Sequence, residues 1–397
     1  MTTALPRAAR VATWIYFTLN GFAVGLWVVH IPNVERATGI SHSALGGLLL
    51  VLGGAAFLGM QVAGPLADRF GQRKLLPAAG VLLGVALFFP GLATSWWTLG
   101  LALVCFGFGN GTIDVAMNSH AVVVERAYPR PIMAAFHAMW SIGGAMAAVV
   151  GAATLSADVP TAVTLGACGV FTIVVSLLTA RFLVDGRPEA EETASDAPAA
   201  KPSTKPSTKL VWLLGAIAFA MMLAEGVAND WAALHAEDVL GTSTSTAAFA
   251  YGSFAVAMTA GRFATDRVAA LVGPVAIVRY GAALAAFGLL LVVFSPWVWS
   301  AFAGWALFGL GLSGSVPQLF SAAGNLDQRS SGALMARVVG LGYVGLLAGP
   351  ALIGGLAHWI PLNVAFLVPV ALCLLAVGFA NVLAPRTAPS EESVGTR

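Results

Sequence analysis

Residues 96–122 read WWTLGLALVCFGFGNGTIDVAMNSHAV, twenty-seven positions with one charged side chain, Asp114. At 1.5 Å rise per residue, a helix of this length covers about 40 Å, more than the roughly 30 Å hydrocarbon core of a bilayer. A membrane barrel strand would alternate polar and apolar residues over about ten positions. This run does not alternate, so it reads as a membrane-crossing helix, long enough to tilt or to project.

Runs of the same character extend in both directions. On the N-terminal side they cover 12–32, 43–66 and 74–94, and on the C-terminal side 132–155 and 160–182. Beyond a polar stretch come 210–231, 244–265, 272–294, 296–322, 332–356 and 360–383. The chain as a whole is 58% hydrophobic and 10% charged, against about 25% charged in soluble domains. Too few polar groups are present to cover a water-facing surface, so the lipid bilayer is the expected solvent. The expected fold class is an all-α polytopic membrane protein with 12 transmembrane helices. The first run follows Arg7 and Arg10 as a signal peptide would, but it is too long and lacks a small-x-small cleavage site, so a retained helix is expected.

Lys and Arg set the expected orientation. Arg7, Arg10, Arg69, Arg73, Lys74, Arg126, Arg130 and Arg181 fall on one side of the alternating runs, as do the basic residues of the central polar stretch. Arg262, Arg267, Arg279, Arg329, Arg337, Arg386 and Arg397 continue that side, and of 20 basic residues only Arg36 falls opposite. The positive-inside bias places both termini in the cytoplasm, in a cell membrane. Trp27, Trp96, Trp97, Trp231, Trp297, Trp299 and Trp359 cluster at the outer ends, as an aromatic belt does.

Residues 185–209, DGRPEAEETASDAPAAKPSTKPSTK, bury too little apolar area to order themselves and read as a flexible cytoplasmic linker. They separate an N-terminal six-helix bundle, 1–184, from a C-terminal one, 210–385, with a tail at 386–397. The two halves echo each other. GPLADRFGQRK at Gly64–Lys74 matches GRFATDRV at Gly261–Val268, and Phe106-Gly107-Phe108-Gly109 matches Phe308-Gly309-Leu310-Gly311. Met133 and Gly143 match Met335 and Gly345 at an offset of 202. Transporters built from such repeats place the substrate between the halves, near mid-membrane.

The Gly64-x-Leu66-Ala67-Asp68-Arg69-x-Gly71-x-Arg73-Lys74 loop resembles the signature between helices 2 and 3 of the major facilitator superfamily, and the six-plus-six layout extends the likeness over nearly the whole chain. The acid-x-x-x-Asn pattern of Asp114 and Asn118 on span 4 is similar to the fucose-permease-like branch. That branch's sugar permease carries an acid on helix 1 after a Gly-Phe pair, whereas Gly21-Phe22 here is followed by no acid. The resemblance implies alternating access, with the loop between helices 2 and 3 acting as a gate. The superfamily's antiporter Gly-Pro pattern belongs on helix 5. Span 5 lacks the proline and span 11 carries Gly349-Pro350, so symport and export both stay open.

Ionisable groups inside a span cost roughly 2.5–3.5 kcal/mol on insertion scales and tend to be functional. Asn110, Asp114 and Asn118 stack at i, i+4, i+8 on one helix face, as a substrate path or as a structural cluster. His137 and Ser141 make a second such pair on span 5. Helix counting puts His137 at the depth of Asp114, where the two could share a proton or His137 could simply pack. Glu225, with Asn229 on the same face, is the acid of the second half, as a coupling group, an ion-pair partner or a vestibule residue. Asp230 lies nearer the exit. Asn20, Gln61, Trp140, Trp305 and Gln318 are weaker candidates, with Trp140 placed to stack on a ring.

Asp68 and Asp266 fall on the cytoplasmic side near the starts of spans 11 and 5, where a carboxylate gains roughly 0.3–1 kcal/mol from the helix dipole. Arg69, Arg73, Glu125 and Arg267 complete the expected gate. No Walker loop, metal-ligand cluster or nucleophile–base pair is present, so neither an enzyme, an ATP-driven pump nor a metal or other cofactor is expected. Cys105, Cys168 and Cys373 all lie in apolar runs, which argues against disulfides. The expected partners are a small-molecule substrate, protons and the lipid bilayer, with no nucleic acid. The expected function is secondary active transport by a monomer, with a drug or metabolite exporter and a non-transporting receptor or scaffold as alternatives.

Overall fold

The computed structural model describes residues 4–185, 207–327 and 330–384. Most of the expected linker and the expected tail lie outside the described residues. Among the described residues, eleven helical stretches are long and apolar enough to cross a membrane. One of them, Thr246–Phe294, has 49 residues and would span about 74 Å as a single rod, over twice the bilayer core. It is two crossings, because Gly273 breaks the helix with φ 81 and ψ 166. Twelve crossings result.

They are numbered in chain order: α1 (Ala4–Thr38), α2 (His42–Phe70), α3 (Gln72–Leu92), α4 (Trp96–Glu125), α5 (Met133–Ser156) and α6 (Thr161–Phe182). The second set is α7 (Thr208–Asp238), α8 (244–272), α9 (274–294), α10 (Val298–Asn325), α11 (Ser331–Leu356) and α12 (Leu362–Leu383). Of these, α10 is interrupted at residues 313–314. With an even number of crossings, the first and last described residues and the chain ends at 185 and 207 share one face, called here the terminal side.

Several local features explain where these rods stop. Ser41 caps α2 by accepting from the Ala44 amide, and Ser243 does the same for α8 through Thr246. Ser95 and Thr98 form a reciprocal capping box at the start of α4. Gly71, at φ 84, makes the α2–α3 corner in the left-handed region that only glycine enters cheaply, and Gly273 makes the matching α8–α9 corner.

The packing is duplicated as well. In the first half α1 lies on α5, α2 on α4, and α3 on α4 and α6. In the second, α7 lies on α11, α8 on α10, and α9 on α10 and α12. Close backbone approach makes these seams. A Cβ on Gly107 would stand 2.3 Å from the Leu52 carbonyl oxygen, and one on Gly309 would stand 2.3 Å from that of Phe254. Small residues let membrane helices pack this tightly where lipid supplies no hydrophobic drive. Between the halves, α2 packs on α11 and α5 on α8, whereas α1 and α7 are not packed together.

Candidate functional site

The seams between the halves are tied at the terminal side by carboxylates. Asp68, near the end of α2, accepts from the Gly332 amide at 2.7 Å and the Ala333 amide at 2.9 Å, in the first turn of α11. Asp266 of α8 accepts from Ala134 and Ala135, in the first turn of α5, at 2.9 and 2.8 Å. Those amides have no partner inside their own helices, so a carboxylate satisfies two orphan donors and meets the positive end of the dipole. Glu125 Oε1 accepts from Ile132 and Met133 at 2.9 and 3.0 Å, while its Oε2 takes the Ser321 hydroxyl of α10. Arg126 follows with bonds to Asn325 Oδ1 at 2.7 Å and the Gly324 carbonyl at 2.6 Å. Arg69, Arg73 and Arg267 are exposed.

The two clamps are offset by one helical turn. Asp266 follows Asp68 by 198 residues, and Ala134 precedes Gly332 by 198. The corner glycines 71 and 273 differ by 202, as do the seam glycines 107 and 309. Four residues are about one turn, roughly 6 Å. Relative to the bundles, the Asp266 clamp therefore sits one turn farther from the terminal side.

Deeper in, two polar groups meet the interface. In the first, Trp140 Nε1 donates to Asn20 Oδ1 at 2.7 Å, and Asn20 Nδ2 donates to Asn110 Oδ1 at 2.7 Å. An indole can only donate, so Trp140 fixes which way the Asn20 amide points, and Asn20 fixes Asn110 in turn. This triad joins α5, α1 and α4. Asp114 lies one turn beyond Asn110, buried at 5% exposure near Tyr343 of α11, and its Oδ2 has no hydrogen-bond partner. Asn118 turns back on its own helix, bonding the Asp114 carbonyl at 2.9 Å.

The second group is an ion pair. Arg262 of α8 reaches Glu225 of α7 at 3.3 Å and donates its other terminal nitrogen to the Ser141 hydroxyl of α5 at 2.8 Å. The Glu225 side chain is 18% exposed and that of Arg262 is 9% exposed. Asn229 and Asp230, a turn beyond Glu225 and away from the terminal side, are exposed. The interface is thus closed by clamps on the terminal side and open toward the other.

His137 does not pair with Asp114. Its ring lies between Phe17 and Phe320, at 5.3 and 5.8 Å between centroids, and its nearest charge is Arg262. Of the two readings it packs, because α4 lies on α2 and α3 while α5 lies on α1, so equal depth does not bring the two helices together. Trp305 is fully buried against His235, Phe308 and Phe366, within the second half and away from the interface. Gln61 ties α2 to the Ala336 carbonyl of α11 at 3.0 Å, and Gln318 is buried.

Sequence reasoning missed two residues. Arg262 was counted with the orienting charges although it falls inside the 244–265 run, and a charge inside a span is the signal that marks it. Tyr343 lies in the glycine-rich 332–356 run, where a lone phenol was the available sign.

Comparison with known proteins adds to this geometry. A family model described as Major Facilitator Superfamily matches residues 13–334. An uncharacterized MFS-type transporter of Yersinia pestis is 34% identical, over 93% of this chain and 94% of its own. Among solved structures, the human organic anion transporter MFSD10 superposes with a TM-score of 0.77 at 15% identity, covering 96% of this chain and 100% of that one. FucP, the E. coli fucose:proton symporter, superposes in its outward conformation with a TM-score of 0.77 at 16% identity, covering 95% and 98%. At these identities the structural likeness speaks to fold.

Proposed function

Because the chain belongs to the major facilitator superfamily, we propose that this membrane transporter carries a small organic solute by alternating access, driven by protons, with its terminal side in the cytoplasm. The observation that carries this reading is the Glu225–Arg262–Ser141 bridge, which joins α7, α8 and α5 one turn beyond the Asp266 clamp. A proton on Glu225 removes the negative charge facing Arg262. Arg262 keeps Ser141 as its tie to the first half, and its charge is free to meet solute. Asp114, near Tyr343 of α11, is the second proton-binding group.

In this cycle the aspartate clamps belong to the state closed toward the cytoplasm. Opening that side means withdrawing Asp68 and Asp266 from the α11 and α5 amides, and closing the other side brings α1 onto α7. Solute and proton that travel together give symport, and solute that replaces the proton gives antiport.

The test uses purified full-length protein in liposomes with a pH dye inside. Metabolites from a broad panel are added under an imposed pH gradient, and proton flux is recorded for wild type and Glu225→Gln. A solute that triggers flux in wild type and none in the variant supports the reading. Solute that binds without any proton or solute flux identifies a receptor or scaffold instead.

A further inference from the structure

We infer that the chain holds an anionic phospholipid in a groove on its membrane-facing surface, apart from the interface between the halves. The groove is formed by α7, α11 and α12 near the terminal side and has a volume of about 420 Å³. Its walls are apolar throughout, with Trp212, Ala216 and Ala220 from α7, Leu341 from α11, and Leu375 and Phe379 from α12. Ala216, Leu375 and Phe379 are exposed, so the groove opens outward rather than into the bundle. From Trp212 to Ala220 it follows α7 for eight residues, about 12 Å along the axis. That direction runs from the membrane surface toward its centre, as a lipid chain does.

The headgroup end is specified by charge. Lys209 is exposed in the first turn of α7. Trp212, Ala216 and Ala220 follow it by three, seven and eleven residues. At about 100° per residue, that spacing keeps all three within about 60° of its direction on the helix. Lys209 is therefore on the groove's face of α7, one turn outside Trp212. Trp212, at 63% exposure, sits between Lys209 and the rest of the groove, at the depth where an indole favours the membrane–water boundary. Greasy walls take the acyl chain, the indole takes the glycerol level, and the lysine takes the phosphate. A zwitterionic headgroup offers the same phosphate but brings its own cation beside Lys209 and weakens that contact, which favours phosphatidylglycerol over phosphatidylcholine.

Native mass spectrometry of the full chain in detergent tests this, with phosphatidylglycerol and phosphatidylcholine of identical acyl chains. One lysine near a charged membrane surface corresponds to about a five-fold preference. Wild type should bind phosphatidylglycerol about that much more tightly; equal binding of the two lipids overturns the proposal. Lys209→Gln should erase the preference, whereas Lys74→Gln, a matched loss of charge at the exposed start of α3, should keep it. A preference that survives Lys209→Gln, or falls equally with Lys74→Gln, means diffuse attraction and refutes the site. Ala216→Trp, or Leu375→Trp on the facing helix if the first variant does not fold, should weaken both lipids by filling the groove, and unchanged binding refutes it. Inorganic phosphate that displaces the lipid completely would make this a free-anion site and end the lipid assignment. None of these measurements involves transport, so their outcome is independent of the proton-coupled reading.

Discussion

Replacing Asp266 with Asn should open the terminal side. Asp266 is 7% exposed and accepts two backbone amides at 2.9 and 2.8 Å. Hydrogen bonds to a charged group contribute about 1.5–3 kcal/mol, against about 0.5–1.5 for neutral ones. The asparagine keeps one acceptor oxygen, turns an NH2 toward the second amide, and loses roughly 0.3–1 kcal/mol of dipole stabilisation. Water replaces these bonds once the clamp is open, so the loss falls on the closed state. The net of about 2–3 kcal/mol shifts the closed-to-open ratio about 30- to 150-fold. Spin labels at Arg73 and Arg337, exposed positions in opposite halves, report it after Cys105, Cys168 and Cys373 are replaced. In double electron–electron resonance, the longer-distance population should grow in Asp266→Asn. Asp68→Asn should show a smaller shift, because Asp68 is less buried and its bonds compete with water. A folded Asp266→Asn protein whose distances match wild type would refute the clamp argument.

Asp114→Asn should abolish proton-driven movement and leave the melting temperature near wild type; unchanged proton-driven uptake removes Asp114 from coupling. Glu225→Gln keeps an acceptor for Arg262 but no titratable group, so binding of a solute found in the liposome screen should persist and lose its dependence on pH. Binding that stays pH-dependent would assign the proton elsewhere. Trp140→Phe strands the Asn20 carbonyl oxygen in a buried position and should cost about 1–3 kcal/mol, read as a lower thermal midpoint; no change would mean the triad is not structural. Thr13 donates to the Ala9 carbonyl, so His120 donates to Thr13 through Nδ1 and accepts the Val184 amide on Nε2. His120→Phe strands that amide at the end of the first half and should destabilise by a similar amount, with no effect on proton coupling.

The gross architecture was legible because lipid imposes it. Every crossing needs a long apolar helix, and each helix announces itself as a run such as 96–122. Corners were legible where glycine is required, as at Gly71, and Gly273 breaks the helix in the same way between α8 and α9. Partners across the interface were not legible, because hydropathy gives depth and says nothing of azimuth. Depth alone suggested His137 beside Asp114, and azimuth sends them to different neighbours. Arg262 was hidden for another reason, since a basic residue near a helix end serves the orientation tally equally well whether it faces headgroups or a buried acid.

One discrepancy in the sequence acquires its meaning only in three dimensions. The aspartate motifs repeat at 198 and most landmarks at 202, because α8 has one more turn than α2 between its aspartate and its corner glycine. On the α5 side, α11 likewise starts one turn earlier relative to its seam glycine. The two seams then carry different chemistry. Along α2, Gln61 and Asp68 face Ala336, Gly332 and Ala333 of α11, an amide above a carboxylate. Along α8, Arg262 and Asp266 face Ser141, Ala134 and Ala135 of α5, a guanidinium above a carboxylate. Among the described residues, only the second seam pairs a guanidinium with a carboxylate, Glu225. In the proposed cycle, neutralising Glu225 acts one turn away from the deeper clamp on the same helix, whereas at that level the α2–α11 seam pairs Gln61 with a backbone carbonyl and can respond only by following the rigid halves.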